Sequence, residues 1–214
     1  MPLIRKEKLT NETLLGIWKI EESAEELKSL QKLSIPEELF YAGLKNETRK
    51  KHWLSYRLII KDIPGIIGPV SYDDFGKPSL PNSGHRISVS HSGDYSAVMV
   101  SKDAEPGIDI EQIRERIERV KERFLSKREL RELGEDDYLK KLYVCWGIKE
   151  AVFKVHGKPD IEFSQDIYIH PFDYQPKGTC EATLGLNGKE TRFSPVYEEI
   201  ENYMLVYTWI KKEG

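Results

Sequence analysis

Residues 86–111 read RISVSHSGDYSAVMVSKDAEPGIDIE. Two short runs rich in β-branched and apolar residues stand out, 86–90 and 95–101, and both read as strands. The four residues between them, His91-Ser92-Gly93-Asp94, are the right length and type for a hairpin loop. A polar break follows over 101–107, in which Pro106-Gly107 marks a further turn, and another strand starts at 108–110. A hairpin therefore closes one half of the chain and a new strand opens the next. The expected division is 1–102 and 103–214.

Each half contains helices as well as strands. Upstream, TLLGIWKI at 13–20 reads as a strand, followed by helical stretches near 22–33 and 36–45, with Pro36 suited to a first helical turn. Residues 47–61, ETRKKHWLSYRLIIK, form a stronger helix whose apolar side is Trp53, Leu54, Leu58 and Ile60. Residues 64–85 are rich in Gly, Pro, Asp and Ser and read as loop, with Phe75-Gly76-Lys77-Pro78 inside it. Downstream, Ile113, Ile117, Val120 and Phe124 recur at spacings of 4, 3 and 4, one buried stripe on a helical region over 113–131. A long helix is expected over 135–156, where Leu139, Leu142, Trp146, Lys149 and Phe153 place a lysine in an otherwise apolar row. Strands are expected at 166–169, 179–186, 190–196 and 202–210. The last of these is apolar on both faces and so belongs in the interior of a sheet. The fold class that results is α+β, with two similar-sized α+β lobes.

Composition narrows the function. The 214 residues carry 33 Lys plus Arg against 36 Asp plus Glu, a net charge of -3, which argues against a basic nucleic-acid coat. Aromatic residues at 10% exclude a disordered acidic tail. Two cysteines, Cys145 and Cys180, make no disulfide framework and no zinc pair. No apolar run approaches the roughly 18 residues that span a bilayer, and the start does not read as a signal peptide. A cytoplasmic protein without membrane or nucleic-acid partners is the expectation.

GxGxxG, GxxxxGK[ST], HExxH and GxSxG are all absent. Asp109 and Glu111 are two apart on a strand and share a face, with Ile108 and Ile110 on the other. Adjacent carboxylates suit a hard divalent ion such as Mg²⁺; an amphipathic edge strand with its acidic face in water would read the same way. Glu150 and Lys154, four apart on the long helix, share a face that Trp146 also joins. They read either as a plain surface ion pair or as a partly buried carboxylate beside two lysines, fit for a third metal ligand or a general base. Ser90 and His91 end a strand and can donate to phosphate oxygens. Arg49, Lys50 and Lys51 crowd the first turns of their helix against its dipole, as a solvated face or as a landing place for an anion. Positions 112–131 hold eight basic and four acidic residues, a locally positive surface.

In order along the chain stand Gly-Lys-Pro (76–78), Ser-His-Ser (90–92), Gly-Ile-Asp-Ile-Glu (107–111), Arg-Phe-Leu-Ser-Lys-Arg-Glu (123–129) and Trp-x-x-Lys-Glu-Ala-x-x-Lys (146–154). This ordered set resembles the 4′-phosphopantetheinyl transferases of the two-lobed Sfp type. The resemblance implies a monomeric pseudo-dimer with coenzyme A and a metal in the cleft between the lobes. It implies Asp109, Glu111 and Glu150 as ligands of Mg²⁺, with Mn²⁺ as the alternative. Lys77, Ser90 and His91 would contact the coenzyme A phosphates, with Lys154 at the pyrophosphate and Glu150 and Lys154 as the catalytic pair. Arg49, Lys50 and Lys51 would take the 3′-phosphate, with His52 a further candidate. The implied reaction moves phosphopantetheine to a serine of an apo acyl or peptidyl carrier protein, acidic near that serine. The rival classes are a metal-dependent nuclease or phosphatase and a non-catalytic module that binds an acidic partner through 112–131.

Overall fold

The computed structural model describes residues 3–66, 68–81 and 83–211. The chain divides into two units, Met1–Ala104 and Glu105–Gly214. Among the described residues no helix is long and apolar enough to cross a membrane.

The first unit contains strands β1 (Leu3–Lys8), β2 (Thr13–Lys19), β3 (Ser71–Tyr72), β4 (Pro78–Ser79), β5 (Arg86–Ser92) and β6 (Tyr95–Ser101). Its antiparallel sheet runs β1-β2-β6-β5. β6 is buried at every position, because it is flanked by strands on both sides and its apolar residues meet a helix. Helix α1 (Ala24–Ser29) starts with a capping box in which Ser23 and Glu26 satisfy each other's backbone N–H groups. Helix α2 (Ile35–Gly43) has Pro36 in its first turn. Helix α3 (Glu47–Lys61) is capped by Asn46, whose Oδ1 accepts from Arg49 N at 3.0 Å. It buries Trp53, Leu54, Leu58, Ile59 and Ile60 in a core shared with Trp18, Leu27, Ile87, Val98 and Val100. His91 and Ser92 are not loop residues. They extend β5 and pair with Ser96 and Tyr95, so the hairpin turn shrinks to Gly93-Asp94. The 64–85 stretch is not all loop either, since β3 and β4 pair within it.

The second unit contains β7 (Ala104–Gln112), β8 (Ile167–Ile169), β9 (Lys177–Thr179), β10 (Ala182–Leu186), β11 (Lys189–Phe193), β12 (Val196–Ile200) and β13 (Tyr203–Lys211). Two sheets result, β7-β13-β12-β9 and β11-β10-β8. β13 lies in the interior of its sheet, as its two apolar faces require. Helices α4 (Lys127–Glu132), α5 (Tyr138–His156) and α6 (Phe163–Asp166) complete the unit. Pro106-Gly107 is no turn but part of β7. The 113–131 region is not one helix. Two short 3₁₀ turns, Glu115–Arg119 and Lys121–Arg123, precede α4, and Val120 and Phe124 leave helical geometry between them. The apolar stripe survives the break: Ile113, Ile117 and Phe124 are buried and Val120 packs against the same core, because a run of single turns also returns every third or fourth residue to one side.

Candidate active site

The site in the second unit is assembled by the seating of α5. The face of α5 that carries Leu142, Ile148, Ala151 and Val152 is buried. Two glycines let backbones come close there. A Cβ on Gly147 would clash with Val206 of β13, and one on Gly107 would clash with the Ala151 carbonyl. Close approach of β7 to α5 at Gly107 brings the next residues of the strand beside the next turn of the helix. Lys154 Nζ donates to Asp109 Oδ1 at 2.8 Å and to the Ile108 carbonyl at 2.8 Å. Lys154 is thus bridged to the strand and is not the surface partner of Glu150.

Asp109 is buried, at 4% exposure, and Glu111 and Glu150 are half-buried. The Glu150 carboxyl is pushed up to about 7. Burial is the main cause, the negative charge of Asp109 the next, Lys154 pulls the other way, and Glu111 adds to the rise. The three carboxylates expected from sequence are therefore electrostatic neighbours. Among the described residues no three acidic, histidine or cysteine side chains are already gathered as a metal cage. Three carboxylate side chains of this kind nevertheless suit a hard divalent cation, whose charge would offset both the burial and the repulsion that raise Glu150. The Lys154 ammonium and such a cation compete for Asp109.

Lys149, the second lysine beside Glu150, faces away from this cluster. It is fully buried and its Nζ donates to Glu129 Oε1 at 2.6 Å, to the Phe163 carbonyl at 2.9 Å and to the Ile167 carbonyl. Glu129 in turn accepts from Ile169 N at 3.0 Å and, through Oε2, from Ser126 N and Oγ at 2.8 and 2.7 Å. The lone lysine in the apolar row of the helix was a visible signal for this pair; the Ser126-x-x-Glu129 capping pattern was another.

A cavity of about 340 Å³ adjoins Glu111, lined by Arg116, Ile117, Arg119, Val120, Tyr143 and Trp146. Tyr143 Oη fastens the lining segment, accepting from Arg114 N and donating to the Arg114 carbonyl, both at 3.0 Å. Sequence reading missed Tyr143, whose position in the helix carries no signal beyond its apolar neighbours. Lys121 is turned elsewhere and donates to Tyr138 Oη at 3.0 Å.

The anion-binding candidates of the first unit group around α3 and β5. The His91 ring stacks on His52 of α3 with centroids 4.3 Å apart and planes at 17°. His52 Nε2 donates to the Gly93 carbonyl at 2.8 Å, and burial holds its pKa below the usual value. Ser90 is buried one residue before His91. The stack joins the end of β5 to the helix turn that bears Arg49, Lys50 and Lys51. Arg49 is exposed, while Lys50 lies 3.9 Å from Glu47 and over the Tyr41 ring, and the charge of Lys51 reaches Glu26. Lys77 is half-buried, in a turn closed by Asp73 Oδ1, which accepts from Phe75 N and Lys77 N at 3.0 and 2.8 Å. The strand β4 that follows packs beside β5.

Residues 105–207 match the family model of the 4′-phosphopantetheinyl transferase superfamily. The 4′-phosphopantetheinyl transferase AcpT of Escherichia coli K12 is 30% identical over 118 residues, 51% of this chain and 59% of the relative; AcpT of Escherichia coli O157:H7 aligns with the same figures. The 4′-phosphopantetheinyl transferase ffp of Bacillus subtilis is 33% identical over 93 residues, 41% of either chain. The alignments span less than two thirds of the length of these curated relatives.

Proposed function

We propose, from the match of residues 105–207 to the 4′-phosphopantetheinyl transferase superfamily model, that the protein transfers the 4′-phosphopantetheine group of coenzyme A to a serine hydroxyl of an apo carrier protein, acyl or peptidyl. The other product is adenosine 3′,5′-bisphosphate. The observation that carries this reading is the electrostatic coupling of Glu150 to Asp109 and Glu111, with Lys154 bound to Asp109, within the stretch that the superfamily model matches.

Transfer of a phosphoryl-linked group asks the protein for positioning and charge neutralisation more than for covalent chemistry. A divalent cation, Mg²⁺ or Mn²⁺, held by Asp109, Glu111 and Glu150 would supply Lewis-acid neutralisation of a pyrophosphate. The serine oxygen forms a bond to the phosphorus that bears pantetheine, and the bond from that phosphorus to the bridging oxygen breaks. Glu150, positioned beside the reacting serine, takes its proton as general base. Lys154 neutralises the charge that develops on the departing bisphosphate. Ser90, His91 and Lys77 hold coenzyme A phosphates, and Arg49, Lys50 and Lys51 hold its 3′-phosphate, with His52 keeping the His91 ring in place by stacking.

Arg116 and Arg119, on the rim of the cavity beside Glu111, give an acidic carrier its docking face, while Ile117, Val120 and Trp146 offer it an apolar floor. Two units of similar length, each combining antiparallel β-sheet with one long helix, suit the internal pseudo-dimer that the family resemblance implies, acting as a monomer in the cytoplasm.

Thermal unfolding with added ligands tests the reading. Coenzyme A with Mg²⁺ is expected to raise the melting temperature, by about 2.7 kcal/mol of stabilisation at a hundred times the dissociation constant. Cleavage of nucleic acid or of simple phosphate esters, with no response to coenzyme A, would place the protein among metal-dependent nucleases or phosphatases instead.

A further inference from the structure

The two glycine contacts set how close α5 comes to its sheet, but a smooth helix can still turn about its own axis in that seat. Lys149 removes this freedom. An ammonium has three protons to donate, and here all three are taken, by Glu129 Oε1, the Phe163 carbonyl and the Ile167 carbonyl. Glu129 is itself fixed from three further donors, on the cap of α4 and on β8. The anchor is charged, wholly buried and saturated, so any rotation of α5 would break several bonds that cannot be replaced by water. Glu150 is the next residue, about 100° further round the helix. Its direction toward Asp109 and Glu111 is therefore tied to where Lys149 is held.

We propose that Lys149 and Glu129 are positioning residues: their buried ion pair fixes the rotation of α5 and thereby the place of the Glu150 carboxylate beside Asp109 and Glu111. The inference rests on the reading of those carboxylates as the ion-binding site.

Removal of Lys149 alone strands a buried carboxylate, so the informative variant is Lys149→Met/Glu129→Gln, which leaves neither member of the pair charged and retains a capping side chain at 129. The control is Lys141→Met. Lys141 is a second buried lysine of α5, two turns before Lys149, and among the described residues its hydrogen bond goes to the Leu133 carbonyl at 2.9 Å. Melting temperature reports stability, and calorimetric titration of the full chain with Mn²⁺ reports the site without any need for turnover. The expected result is at least a tenfold weaker Mn²⁺ affinity in the double variant, with unchanged affinity in Lys141→Met even where its melting temperature falls as far. A folded double variant with wild-type Mn²⁺ affinity would overturn the proposal while leaving the transferase reading intact. Loss of Mn²⁺ binding in the double variant, in a protein that transfers nothing, would uphold the positioning role and sink the transferase.

Discussion

Glu150 bears two demands that pull against each other. In the proposed role of base and ion ligand it must be ionised, yet burial and the charge of Asp109 favour its protonated form. Its folded-state pKa, about 7, lies above the usual 4.5, so the folded protein holds the proton more tightly than the unfolded chain. Ionisation therefore weakens the ligand-free fold, beginning above about pH 4.5 and in full above about pH 7, by up to on the order of 3 kcal/mol. Glu150→Gln should accordingly melt higher than wild type above about pH 8 and alike below about pH 4.5, while its turnover falls at least about a hundredfold. A scan of melting temperature against pH for the two proteins checks the first half, and single-turnover kinetics the second. Asp109→Ala should abolish turnover and divalent-ion binding together. Lys154→Ala should cut turnover but bind the ion no more weakly, since it removes a competitor for Asp109; calorimetry separates the two. The spacing of Asp109 and Glu111 and the i, i+4 placement of Glu150 and Lys154 made these side chains legible in the sequence. The partner of Lys154 was not legible, because a helical spacing says nothing about a strand 45 residues away that meets it only in the fold.

At the scale of elements, the site depends on α5 lying hard against β7. Gly107→Ala would drive a methyl group into the Ala151 carbonyl, a backbone atom that cannot move aside. The expected cost is about 1–3 kcal/mol, read from urea unfolding, with a matching loss of ion affinity as the strand and helix part. The segment after β7 carries the docking prediction. Reversal of Arg116 and Arg119 to Glu should raise the apparent carrier KM and flatten its salt dependence with kcat little changed; equal salt profiles for variant and wild type would remove this segment from the interface. Long periodic stretches such as 47–61 were readable to the residue, since α3 spans Glu47–Lys61 as the apolar spacing required. The 112–131 stripe was readable as buried but not as broken, because 3₁₀ turns and an α-helix share nearly the same apolar rhythm. Pro106-Gly107 misled for a different reason: the pair has turn chemistry, but here glycine serves close packing within β7.

For the molecule as a whole, the phosphate-binding candidates lie in one unit and the carboxylates in the other. Lys77→Ala and His91→Ala are expected to lower coenzyme A affinity by roughly 1.5–3 kcal/mol each, the range for hydrogen bonds to charged groups, while carrier KM stays put. Calorimetry that finds coenzyme A affinity unchanged in both variants would remove the β3–β4 turn and the end of β5 from the site. The mass of the acceptor reads the transfer itself without intermediaries. Apo acyl and peptidyl carrier proteins would be incubated with this protein, coenzyme A and Mg²⁺, and weighed intact. At least one carrier is expected to gain the mass of a single phosphopantetheine group, with the gain abolished by Ser→Ala at the carrier's acceptor position and by Asp109→Ala in this protein. Carriers that keep their apo mass while coenzyme A is bound, or a mass gain that persists with Asp109→Ala, would contradict the proposed transfer.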